Sequence, residues 1–204
     1  MGLFSRKKKE AAPSSAATVP PSELVVPLIA GRAWMEANEE TFSRIPGFPD
    51  EARPFATSIS EELWVTYAVD PEGTWELVQG GQVADFGGAD ALHSTALRNM
   101  VARVGSDVAI EGGNGRFRLH TPSEPDLACS LVLTPELWLS EIDLTGAAIV
   151  CAPTRVELLV CGSDDADSVQ ELRNFATELF EEARGKPVTS VLHQARPSGL
   201  AVFA

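Results

Sequence analysis

The chain has 204 residues, of which 44% are apolar, 22% charged and 7% aromatic. That composition is globular and excludes a coiled coil, a collagen-like chain and a wholly disordered one. The net charge of −13 divides unevenly: residues 1–22 carry Arg6, Lys7, Lys8 and Lys9 against Glu10, and the remainder holds 12 bases against 28 acids. An acidic body repels a phosphate backbone, so nucleic-acid binding through the folded part is not expected.

In chain order, residues 1–22 begin with a basic run and continue as AAPSSAATVPPS, which offers too little apolar surface to fold. They read as a disordered tail, followed by one α+β domain over 23–204. No run of 18 apolar residues exists, so no helical membrane span is expected. The apolar run 23–30 contains Pro27, which suits an edge strand. A short helix follows over 33–42, and three prolines with a glycine make 45–55 a loop. The β-branched and aromatic stretch 63–70 is a strand, 71–74 a turn and 75–79 the returning strand. Residues 80–88 read as loop. A helix capped by Asp90 then runs to Val104, with Leu97, Met100, Val101 and Val104 on its apolar face.

EGGNG at 111–115 is a turn, and 115–121 alternates Phe117 and Leu119 with Arg116, Arg118 and His120, as a half-buried strand does. Residues 124–142 read as one kinked helix or two short ones. The apolar segments 147–153 and 155–161 form a tight hairpin. Ser168 and Glu171 form a capping box for a helix with the stripe Val169, Leu172, Ala176, Leu179, Phe180 and Ala183. Segments 187–194 and 200–204 make a final strand pair. The fold class is α+β, a largely antiparallel sheet with helices packed on it. The order hairpin, helix, strand occurs over 60–122 and again over 145–204, which suggests two similar ββαβ units.

The residues offer little catalytic chemistry. Cys129, Cys151 and Cys161 are odd in number, lack a C-x-x-C pair and sit among apolar neighbours, so core packing in a reducing cytoplasm is expected. His93, His120 and His193 have no ligand spacing, and SDDAD at 163–167 lacks the register of a calcium loop. Neither a metal nor a cofactor is expected. No G-x-S-x-G elbow or Walker A loop is present.

From the strand 63–70 onward the sequence resembles the bacterial YtpQ-like family, domain of unknown function 1444. The resemblance rests on LWVTYAVD ending in Asp70, then Leu92, His93, Ala96, Leu97 and Asn99 on a helix, then Leu137-Trp138. It continues through Ala152-Pro153-Thr154-Arg155 and the last helix, covering roughly residues 60–203. Valine at 156 stands where the family has an acid after the arginine. The resemblance implies an α+β fold without a mechanism and singles out Arg155, His93 and Asn99 as matching polar positions.

Three functional expectations follow. The first is a non-enzymatic cytoplasmic interaction, adaptor or chaperone-like protein, with a protein partner and a homodimer as one form of it. The second is a small-molecule-binding protein or enzyme with a pocket near Arg155, His93 and Asn99. The third is a peripheral membrane accessory protein held weakly by Leu3, Phe4, Arg6, Lys7, Lys8 and Lys9 at the inner face of the membrane.

Overall fold

The computed structural model describes residues 21–70, 74–183, 187–196 and 199–204. The chain enters as a helical turn, α1 (Pro21–Leu24), two residues before the expected tail boundary. Four strands, β1 (Val26–Gly31), β2 (Ala56–Ser58), β3 (Leu63–Val69) and β4 (Glu76–Leu77), form a first antiparallel sheet. β3 is its centre. β1 runs along one side, with Pro27 opposite Tyr67, while β2 and β4 share the other. Pro27 lacks an N–H and so stands on an edge strand, as its chemistry requires. α2 (Arg32–Ser43) follows β1 directly.

α3 (Ala89–Val104) packs on β1. Its cap is Gly88 rather than Asp90, and its buried face is Leu92, Ala96, Met100 and Val104, with Leu97 and Val101 only flanking it. The face is thus rotated from the expected stripe. The expected loop at 80–88 is instead a 3-10 segment, Gly80–Phe86, closed by a reciprocal pair of side-chain bonds between Gln79 and Gln82.

The second sheet has six antiparallel strands in the order β10-β9-β7-β8-β6-β5. They are β5 (Ala109–Gly113), β6 (Arg116–His120), β7 (Ala148–Cys151), β8 (Leu158–Gly162), β9 (His193–Arg196) and β10 (Gly199–Val202). β7 and β8 are apolar at every position but Gly162 because both of their faces are covered. Val150, Leu158 and Val160 join the core shared with the first sheet, whereas Ile149, Cys151, Leu159 and Cys161 meet α4 (Ala166–Glu182). The cap of α4 is Asp165, whose carboxylate accepts the Ser168 N–H at 3.0 Å and the Ser168 hydroxyl at 2.6 Å. These bonds hold the Asp165 carboxyl below the usual carboxylate range.

Between the sheets lies the segment expected to be helical. It forms three 3-10 pieces, Pro125–Leu133, Pro135–Leu137 and Leu139–Glu141. Leu127 through Val132 are all buried, against β1, β6 and β8. Thr134, at φ −133° and ψ 58°, stands outside the α region, as the residue before a proline is biased to do, and so ends the first piece. Ser130 donates to the Pro27 carbonyl at 3.0 Å, and the Cys129 N–H to Arg155 O at 3.1 Å.

The architecture is therefore α+β, with helices packed on antiparallel sheets. The two expected ββαβ units do not form one sheet system: α3 lies on the first sheet and α4 on the second. β3 takes its main partner from β1, which lies outside the proposed unit.

Candidate functional site: a groove beside α4

A helix is about 10 Å across, whereas six strands about 4.8 Å apart span roughly 24 Å. One helix cannot cover such a sheet. α4 lies over β7 and β8, and Leu192 and Phe203 close the side toward β9. The β5–β6 side stays open, and there a groove of about 380 Å³ forms between the two strands and α4. Leu159 and Leu172 lie at its base, and Phe175 stands at its mouth with 43% of its surface exposed.

Charges of both signs rim the groove. Arg116 on β6 pairs with Glu171 on α4, bridging strand and helix. Arg118 places Nε 2.9 Å from Oε2 of Glu157, a carboxylate only 2% exposed. Oε2 makes no well-angled hydrogen bond, so this contact is an ion pair; Oε1 accepts from the Thr154 hydroxyl at 2.9 Å. A buried carboxylate held in this way fixes the stem of Arg118 beside the groove. The terminal amino groups of Arg118 make no hydrogen bond among the described residues. Farther along, His120 Nε2 lies 3.2 Å from Glu111 Oε1, and a second cavity of about 240 Å³ shares Glu111 and Arg118 with the first. On β5 beside them Gly112 has φ +118°, and a Cβ there would lie 2.3 Å from Arg116 O, so only glycine fits.

The residues singled out in the sequence fall in separate settings. His93 Nδ1 meets the Tyr67 hydroxyl at 2.9 Å on the α3–β3 seam; burial raises the pKa of that hydroxyl. Asn99 donates to the carbonyls of Ser22 and Val25, both at 2.9 Å, and ties α1 to α3. Arg155 lines a different cavity of about 190 Å³ with Ile29–Gly31, Ala33, Trp34 and Pro187. No hydrogen bond or ion pair joins any two of the three. Leu3, Phe4, Arg6, Lys7, Lys8 and Lys9 lie outside the described residues.

The three cysteines are buried and free. Burial pushes Cys129 and Cys161 up to about 11 and Cys151 to about 12, so none is a thiolate at neutral pH. Among the described residues no group of three or more His, Cys, Asp or Glu is placed to hold a metal ion. The same residues include no helix long and apolar enough to cross a membrane.

The groove was not read from the sequence, although one signal pointed to it. Phe175 is an aromatic outside the buried stripe of α4, beside Leu172 and Ala176. Comparison with protein-family models, with curated proteins and with solved structures finds no match for this chain.

Proposed function

We propose that this chain is a non-enzymatic interaction protein that holds a peptide segment of a protein partner in the groove between α4 and β5–β6. The observation that carries the reading is Phe175, an exposed aromatic continuous with an apolar floor and ringed by two arginines and two glutamates. That pattern, an apolar centre inside a charged rim, is the anatomy of a protein interface. The segment it fits carries an apolar side chain for Phe175 and Leu172, with charges of both signs beside it. A cytoplasmic setting belongs to the same proposal, as does membership of the YtpQ-like family, which is supported by the order of its motifs along β3, α3 and the β7–β8 connection.

The test is capture from the native source with the wild-type chain and with Phe175→Asp. Loss of a central aromatic anchor costs about 2 kcal/mol or more, roughly thirtyfold in affinity. A partner held by the wild type and lost from Phe175→Asp is the expected result. A set of partners unchanged by the substitution contradicts the reading.

A second reading has one specific observation in its favour. Arg155 lines its cavity together with Gly31, the cap residue of α2, and with Ala33 and Trp34 of its first turn, where no side chain caps the N–H groups. Such a place suits a small anion. Arg155→Ala separates the two readings, since it removes anion binding and leaves the Phe175-dependent capture intact.

A further inference from the structure

Beside α1 a cavity of about 290 Å³ lies among α1, β3, β4 and the 3-10 segment Gly80–Phe86. Pro21 and Ser22 form one wall, Val69, Val78 and Phe86 the apolar lining, and Glu76 and Asp85 the acidic rim. Both carboxylates are exposed, and neither makes an ion pair or side-chain hydrogen bond among the described residues. The paired acids elsewhere, such as Glu62 with Arg32 and Glu124 with Arg103, differ in this respect. Asn99 fixes the wall itself by holding the carbonyls of Ser22 and Val25.

We propose that this cavity is the docking site of the chain's own N-terminal segment, Leu3 to Lys9. The segment Leu3-Phe4-Ser5-Arg6-Lys7-Lys8-Lys9 has the complementary chemistry, two apolar side chains followed by four cations. It is tethered to the cavity wall, since the chain runs on from Lys9 through residues 10–20 to Pro21. Twelve residues reach at most about 40 Å, ample to fold back. Attachment at that wall gives the segment an effective concentration on the order of millimolar, so weak contacts suffice. The pairing is screened by salt.

The test uses the full chain with Ser5→Cys carrying a spin label; the three native cysteines are buried, so the label goes to the new one. Paramagnetic broadening of the amides of residues 76–86, independent of protein concentration, is the expected result. It is lost in Glu76→Lys/Asp85→Lys and restored when Lys7→Glu, Lys8→Glu and Lys9→Glu are added to that pair. Both cavity residues are exposed, so their reversal leaves the fold intact, which an unchanged amide spectrum away from the cavity verifies. Broadening elsewhere, or broadening indifferent to the cavity charges, overturns the proposal. So does absence of broadening from a chain that co-sediments with phosphatidylserine vesicles through Lys7–Lys9, which assigns the segment to the membrane surface.

Discussion

At the scale of single residues, His193 shows how much one buried polar group can hold. It lies on β9 in the second sheet, fully buried, with Nε2 3.0 Å from Ser60 Oγ beside the first sheet. Ser60 Oγ already accepts the N–H groups of Glu62 and Leu63, so its own proton points to the imidazole. Nδ1 then carries the ring proton and donates to Val191 O at 3.0 Å. Burial lowers the histidine's pKa below 6.5, only partly opposed by Val191 O and the Glu62 charge. The unfolded chain therefore takes up a proton near pH 6.5 while the folded chain takes it up only at lower pH. Stability from this group is present above that pH and is lost as pH falls from 6.5 through the folded value. The urea midpoint of the wild type should drop more between pH 7.5 and pH 5.5 than that of His193→Gln. Equal drops in the two proteins contradict this role.

At the scale of elements, what was legible followed from local chemistry. α2 and α4 stand where periodicity puts them, because each makes its hydrogen bonds locally. β3 stands in its expected place although its main partner is the distant β1, and β7 and β8 pair as expected but across residues 152–157 rather than a tight turn. The misplacements have separate causes. Asp90 can cap a helix, yet Gly88, at φ +100°, already turns the chain into α3. Leu97 and Val101 lost the central face of α3 to Leu92 and Ala96 because β1 approaches from that side. Pro125–Leu133 looked helical from its composition, but it is a 3-10 piece that Thr134, before Pro135, ends outside the α region. For α4, Ser168 and Glu171 resemble a capping box, whereas Asp165 holds the first turn and Glu171 reaches Arg116 on β6. Asp165→Ala should accordingly lower the stability, as loss of a cap does. A smaller effect than that of Glu171→Ala in chemical denaturation contradicts the assignment.

At the scale of the whole molecule, a width mismatch creates the candidate site. One helix lies over a six-stranded sheet, and the open part carries Leu159, Phe175 and a rim of Arg116, Arg118, Glu111 and Glu171. Strand order made this invisible in the sequence, since β6 meets β8 and α4 only through long-range pairing. His93, Asn99 and Arg155 stood out only as the polar positions matched in the resemblance; the fold spends the first two on joining elements and leaves the third in a cavity of its own. The central claim, that the α4–β5–β6 groove holds a protein segment, is most directly tested by photo-crosslinking in the native host from a photoreactive residue at position 175. The account predicts a discrete adduct with another protein from position 175 and none from Thr177, exposed on the same helix. No adduct, or the same adducts from both positions, contradicts it.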